Sequence, residues 1–510
     1  MTKDVDLTLT PEEAFEEKKT IRRAADKAGV NPSKVTGVKF LRKSIDARRV
    51  DVKINARVRL FVGESPKDIW THTSFQDVSD RPQAVVVGSG PAGLFAALTL
   101  IEHGVRPIVL ERGKDVHERK VDCANLAKAG ILNEDSNYCY GEGGAGAYSD
   151  GKLYTRSVKR GDVGKVLSLF IQHGADEAII SDVHPHLGTD KLPSIIENIR
   201  HTILASGGEV HFSTKVTGLL GSKEKITGVK TEDGREFLGP VILAAGHSAK
   251  DVYRFLDSMG LALEAKDTAV GVRLEHPQQM IDVLQYHNPK GRGLYLPPAS
   301  YSFVTQVDGR GVYSFCMCPG GSVVPAATEH GLQVVNGMSS SSRGGKKANA
   351  AMVVQIRQSD IPQKGVFGML EWVEEMERAS YLPGYKAPGQ RMVDFMNKKM
   401  SFTLPQTTYA PGLESYDLHH VLPEVVATSL QRGFQDFDRM TRGRFATNEA
   451  VMIASETRTS SPVRILRGDD MMQVPGLYPA GEGAGYAGGI VSAAIDGTEA
   501  AKKVAEALLS

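Results

Sequence analysis

The sequence predicts an α/β protein in which a glycine-rich β-α-β domain is preceded by a small α+β module and interrupted by an α+β insertion. Three observations carry this reading. At residues 84–95, AVVVGSGPAGLF joins an apolar strand to an apolar helix through Gly88, Gly90 and Gly93. A second apolar strand ends in small residues at VILAAGHS, residues 241–248. A third glycine-rich run, PGLYPAGEGAGYAGGI at 475–490, opens a final helix. The expected divisions are 1–80 for the module, 81–264 for the first part of the β-α-β domain, 265–445 for the insertion and 446–510 for the returning part.

A chain of 510 residues is too long for one ordinary core, so several domains are expected. Apolar residues make up 41% and charged residues 24%, the balance of a soluble globular protein. The formal net charge of +1 gives no overall field that would favour nucleic acid or an anionic membrane. No apolar run approaches the roughly 18 residues that span a bilayer. The N-terminal MTKDVDLTLTPEEAFEEKK lacks the basic start and apolar stretch of a secretory signal. Four cysteines do not make a disulfide framework, and a reducing, cytoplasmic location is expected. No His/Cys cluster has zinc-ligand spacing, so no metal site is expected.

Within the module, DVDLTL alternates like a short strand. PEEAFEEKKTIRRAADKAG starts with Pro, carries acids early and ends at Gly29, which punctuates a single helix. KVTGVKFLRKSI and RVDVKINARVRLFV alternate as half-buried strands do, giving β-α-β-β, and residues 64–82 read as a linker. Eight Lys or Arg and two acids lie between Lys39 and Arg59. This stretch reads as the solvated face of a sheet, because no aromatic stacking residues are interleaved; an RNA or partner surface is the alternative. Farther on, 265–330 is strand-rich, 331–440 mixes helices with loops, and VVNGMSSSSRGGKKANAAM has the low complexity of a mobile loop.

The glycine spacing gains specificity from its context. Gly88 permits the tight turn, Gly90 lets a pyrophosphate approach the backbone, and Gly93 lets the helix pack on the strand. Ser89, Pro91 and Ala92 complete the turn, whose phosphates meet the positive end of the helix dipole. The next strand ends in Glu111 and Arg112. A carboxylate there can take both hydroxyls of a ribose and would repel a 2′-phosphate.

The three glycine-rich elements, in this order, resemble the two-dinucleotide-binding-domain flavoproteins. The resemblance implies a Rossmann-like FAD-binding domain with an inserted α+β substrate or cap domain. It implies resident FAD, with Ala244, Ala245 and Gly246 closing under the cofactor and Gly481 and Glu482 meeting its ribityl-pyrophosphate region. Gly483, Gly485, Gly488, Gly489 and Ile490 would press backbone and a helix start against the isoalloxazine, and Val216 would lie at the adenine. YGEGGAGAYSDGKLYTR, HPHLGTDKL, GVRLEHPQ, CMCPGGSVVP and ETRTSSPVRI are more narrowly similar to the FAD-dependent dehydrogenases of bacteria and plastids that carry a small N-terminal α/β module. That family implies a cofactor and a fold and supplies no substrate.

Around the chemistry, Gly141, Gly143, Gly144, Ala145, Gly146 and Gly151 form a loop whose amides can point at an anion; a flexible surface loop is the alternative. Ser149 offers a hydroxyl, and Lys152 could stabilise an anionic reduced flavin. His186, beside His184, is a candidate general acid or base. Arg458, with Glu456 and Arg464 nearby, is the candidate substrate contact, and an ion pair between domains is its alternative. Arg273 and His276 are weaker candidates of the same kind. Cys316 and Cys318 alternate along a strand and read as two buried thiols. Residues 265–440, where a separate NAD(P)H domain would stand, hold no second G-x-G-x-x-G. Either the substrate itself reduces FAD, or NAD(P)H docks transiently without a dedicated fold. The expected activity is an FAD-dependent oxidoreductase, a dehydrogenase or reductase passing hydride through flavin N5 to or from a small molecule with an anionic or carbonyl group. The alternatives are a flavin-dependent RNA modifier and a non-catalytic redox-sensing flavoprotein.

Overall fold

The computed structural model describes residues 1–155 and 160–510. It opens with β1 (Thr2–Leu9), whose Val5, Leu7 and Leu9 point into a small core. A capping box between Thr10 and Glu13 starts α1 (Pro11–Phe15). The single helix expected here is broken by the extended residue Glu16; α2 (Glu17–Ala28) then runs to Gly29, which ends it at φ 63°. β2 (Val35–Asp46) and β3 (Lys53–Val62) complete an antiparallel sheet of order β1-β3-β2. Much of the basic charge of this sheet is paired within the chain. Lys39 meets Glu177 and Asp68, Arg48 meets Asp46, Lys53 meets Asp51, Arg57 meets Asp6, and Arg59 meets Asp4.

Residues 64–82 contain neither helix nor strand. Beyond them, β4 (Gln83–Val87), α3 (Pro91–Glu102) and β5 (Arg106–Leu110) form the β-α-β unit. Next come α4 (Val116–Ala129), α5 (Val163–Gln172), α6 (Leu192–Ala205) and β6 (Glu209–His211). The small antiparallel sheet β7 (Val216–Ser222), β8 (Lys225–Thr231) and β9 (Glu236–Leu238) precedes β10 (Val241–Leu243) and α7 (Lys250–Ser258). β11 (Leu263–Ala265) leads into the insertion.

The insertion is a seven-stranded sheet with helices packed on it, together with a separate antiparallel pair of strands. Its elements are β12 (Thr268–Pro277), α8 (Gln278–Tyr286), β13 (Val304–Val307), β14 (Arg310–Cys318), β15 (Ser322–Pro325), β16 (Val335–Met338) and β17 (Lys347–Ile356). α9 (Gly368–Ala379), β18 (Ala387–Arg391), α10 (Met392–Met396), β19 (Leu413–Ser415), α11 (Leu418–Val421), α12 (Glu424–Met440) and β20 (Val451–Glu456) follow. The sheet order is β13-β14-β17-β12-β20-β18-β19, and Leu430, Phe434 and Phe437 of α12 share its core with Val312 and Val354. Two expectations are corrected here. β20 pairs with β12 and β18, so the insertion continues past residue 446. The Ser- and Gly-rich stretch expected as a mobile loop contains β16 and the start of β17. Its turn is fastened by Ser341, whose amide donates to Asp190 at 2.6 Å, and by Arg343, which pairs with the buried Asp150.

The chain then returns through β21 (Val463–Ile465) and β22 (Leu477–Pro479) to α13 (Ile490–Leu509). The central sheet is parallel, in the order β22-β10-β4-β5-β6. Helices cover it, which is why QAVVV and RPIVL read as continuous apolar runs. From β4 the chain adds β5 and β6 on one side and β10 and β22 on the other. The crevice beyond the C-terminal ends of β4 and β10 is therefore the topological switch point, where sheets of this kind bind ligands.

α13 packs directly on α3. A methyl group at Gly497 would lie 2.0 Å from the Ala92 carbonyl oxygen. In an ordinary helix, Gly to Ala stabilises by ~1 kcal/mol. Here Gly497→Ala is expected to destabilise by ~1–3 kcal/mol through overpacking, read as a lower thermal unfolding midpoint.

Candidate functional site

The site is built from three turns at strand ends. After β4, Gly88 takes φ 102°, and a Cβ there would lie 2.4 Å from the Ala244 oxygen, so the turns after β4 and β10 touch. Gly93 lets α3 sit on the first turn, since a Cβ would overlap the Gly88 oxygen at 1.8 Å. α3 begins at Gly90 with no side-chain cap, and α13 begins at Gly489 likewise. Both helix starts thus leave amide donors for a ligand.

Glu111 ties the turns together. One carboxylate oxygen accepts the Ser89 amide at 2.9 Å and the Ser89 hydroxyl at 2.8 Å; the other accepts the Gly113 amide at 2.9 Å and the Gly141 amide at 3.0 Å. Four acceptor positions are thereby used. A ribose hydroxyl reaching Glu111 would take the place of the rotatable Ser89 hydroxyl, the one partner among the four that is not a backbone amide. Gly143 donates to the Ser89 carbonyl at 2.9 Å, which straps the 141–146 loop onto the first turn. Arg119, fully buried, holds the segment before it by donating to the carbonyls of Asn137, Tyr138, Gly141 and Glu142. Arg112 stacks 4.5 Å over Tyr140 and bonds Asp251 at 2.6 Å.

A cavity of about 340 Å³ runs over these turns, within the range of ligand sites. Of the residues expected at the cofactor, Gly88, Gly90, Pro91, Ala92, Glu111, Arg112, Gly144, Ala145, Gly146, Lys152, Val216, Ala245, Gly246, Glu482, Gly489 and Ile490 line it. Ser89, Gly93, Gly143 and Gly481 lie behind its wall, where Gly481 donates to Asp496 at 2.7 Å. The insertion supplies the facing wall: Phe315 and Cys316 of β14, Asn336 of β16, and Glu456, Arg458 and Thr459.

Other sequence candidates fall in different places. Lys152 lines the cavity, donates to the Met317 carbonyl and lies 3.1 Å from Asp150. Arg458 lines it too, yet also pairs with Glu377 of α9 at 3.2 Å. His186 lies outside it. Its Nε2 meets the Ser341 carbonyl at 3.0 Å, and burial and Arg343 lower its pKa, so it is a neutral strut and not a general acid at the cavity. Arg273 and His276 are fully buried and outside the cavity as well. Arg273 grips the wall from behind, bonding Glu456 at 2.9 and 3.1 Å, the Cys316 carbonyl at 2.9 Å and Asn336 at 2.8 Å. His276 packs 4.7 Å from the Phe445 ring and contacts its carbonyl through Nε2 at 3.0 Å. The cysteine pair is corrected: the strand slips register between Phe315 and Cys318, leaving Cys318 buried but Cys316 half-buried on the cavity wall.

His247 was not anticipated. Its Nδ1 lies 3.5 Å from Glu482, while its buried Nε2 has no hydrogen-bond partner among the described residues. An unsatisfied polar atom on a cavity wall, two uncapped helix starts and a bare glycine turn fit an extended dinucleotide. Among the described residues no cluster of His, Cys, Asp and Glu could hold a metal ion.

Comparison with known proteins agrees with this geometry. A family model described as an FAD binding domain matches residues 81–144, and one described as FAD-dependent protein, C-terminal domain-like, matches 267–459. A domain of unknown function matches 1–61. A Clostridium beijerinckii protein described as uncharacterized is 38% identical over 514 residues, covering 95% of each chain. Among solved structures, the flavin-dependent brominase Bmp2 is similar at 12% identity and TM-score 0.37, covering 84% of this chain and 79% of its own. A geranylgeranyl bacteriochlorophyll reductase-like protein of Thermoplasma acidophilum is similar at 14% identity and TM-score 0.36, with the same coverage.

Two outcomes are expected. In Glu111→Gln, one end of the side chain becomes a donor facing backbone N–H groups, which costs ~1–3 kcal/mol. FAD should then bind about tenfold more weakly or worse by equilibrium dialysis. For His276, burial pushes the pKa from 6.5 down to about 4. The unfolded chain therefore takes up this proton first, and stability falls as pH drops from 6.5 to about 4. The slope from this residue is at most ~1.4 kcal/mol per pH unit. His276→Gln should flatten the urea-midpoint profile in that window.

Proposed function

This chain belongs to a family of FAD-dependent proteins, and on that premise we propose that it is an FAD-dependent oxidoreductase acting on a small molecule that carries an anionic or carbonyl group. The observation that carries the reading is the two-sided cavity. One wall is the set of dinucleotide turns, and the other comes from the insertion, from β14 and β20 of its seven-stranded sheet and from the neighbouring β16. A cofactor held by the first wall would be covered by the second, with the substrate between them.

The turn at Gly88–Ala92 and the loop at Gly144–Gly146 would hold the pyrophosphate. Glu111 and Val216 would hold the adenosine end. Ala245, Gly246 and Glu482 would hold the ribityl region, and Gly489, Ile490 and Lys152 would hold the ring. The bound flavin supplies hydride transfer at N5. The chain supplies the rest. Phe315 and the glycine-rich backbone exclude water, which strengthens electrostatic interactions inside the cavity. Lys152 contributes a cation where negative charge would gather. Arg458, whose buried Nε has no hydrogen-bond partner among the described residues, offers a donor to a substrate carboxylate or carbonyl.

The test is an anaerobic titration of the purified protein with NADH and NADPH, following flavin absorbance. Bleaching by one nicotinamide makes the unknown substrate the electron acceptor. A flavin unmoved by both makes the substrate the donor. A colourless protein with no releasable FAD overturns the reading.

A further inference from the structure

Cys316 sits where β14 leaves its register with β17. Strict alternation would turn one of two successive side chains away from the cavity, yet Phe315 and Cys316 both line it. The backbone at Cys316 takes φ 45°, a conformation residues other than glycine rarely adopt. Neighbours hold it there: Arg273 donates to the Cys316 carbonyl at 2.9 Å, and Cys318 Sγ lies 3.3 Å from the same oxygen.

The charges gathered here do not cancel. Lys152 and Arg343 share Asp150, and Arg273 pairs with Glu456. Three cations thus face two carboxylates, and one further anion would balance them. Cys316 and Cys318 both act on Lys152 and Arg273, and of this pair Cys316 is the one that opens on the cavity.

We propose that Cys316 is held as a thiolate on the cavity wall and is the group that meets a soft electrophilic centre of the substrate. The proposal builds on the oxidoreductase reading, in that it assigns this nucleophile to the same cavity. A hydrogen bond from Cys318 and the charges of Lys152 and Arg273 lower the Cys316 thiol below the ordinary range, against burial and Asp150. Glu456 faces the same group from β20, already engaged by Arg273. The other three cysteines move the opposite way: Cys318 and Cys139 are raised, and burial pushes Cys123 up to about 11. A thiolate is the reactive form of cysteine, so the four should differ in rate.

The test uses the full-length holoprotein and iodoacetamide. The thiolate sulfur bonds to the reagent's methylene carbon as the carbon–iodine bond breaks and iodide leaves. Labelling is quantified at each cysteine by peptide mass spectrometry between about pH 5 and about pH 9, a range that spans the ordinary thiol value. Cys316 should react about tenfold faster than Cys123, Cys139 or Cys318 near neutrality, with a midpoint below that value. Lys152→Met should shift the midpoint upward. Labelling of Cys316 only in the alkaline range, or no faster than the others, overturns the proposal. FAD content is measured on the same sample. Loss of FAD with fast Cys316 labelling counts against the cofactor reading alone, and retained FAD with slow labelling counts against this one alone.

Discussion

The ligand end of this molecule depends on one buried carboxylate. Glu111 gathers a donor or more from each of three segments that are distant in sequence: the turn after β4, the residues just after β5, and the start of the glycine loop. A buried charge is tolerated only when its acceptor positions are filled. Satisfying Glu111 therefore forces the three segments into one arrangement, and the concave backbone surface over which the cavity runs is the result. The glycines permit that surface; the carboxylate fixes it.

Arg273 plays the corresponding part on the opposite wall. It exposes nothing to the cavity, yet its guanidinium reaches Glu456, Asn336 and the Cys316 carbonyl, which all belong to residues that do. A buried ion pair of this kind is weak evidence for net stability. Its evident effect is geometric: three strands of the insertion, β14, β16 and β20, present their cavity residues in one fixed relation. Two walls from separate sheets are thus each organised by a single hidden charge of opposite sign.

What could be read from the sequence follows from how local each signal is. Gly88, Gly90 and Gly93 act within one turn and one helix start, so spacing and flanking apolar runs expose them. The order of the three glycine-rich elements likewise anticipated the parallel sheet. His186, His276 and Arg273 were candidates by residue type alone, and type says nothing of burial; the partners that neutralise them lie 155, 169 and 183 positions away. His247 stood inside a quoted motif but owes its interest to an unpartnered nitrogen, which only packing reveals. The Ser- and Gly-rich stretch was misread because composition does not show that Asp150 and Asp190 wait across the fold to fasten it.

The parallel sheet is discontinuous in the chain, and this governs the order in which the molecule can be made. β10 leaves the ribosome before the insertion, whereas β22 and α13 emerge after it. Until then one edge of β10 lacks its neighbour, and α3, buried from Ala92 to Ile101 in the finished protein, lacks the helix that covers one flank. The nascent chain therefore carries an open strand edge and an apolar helix face while the whole insertion is being synthesised, surfaces that invite misassociation. The half-made crevice also lacks the Glu482 turn and the second helix start, so cofactor loading belongs to a late stage of biogenesis.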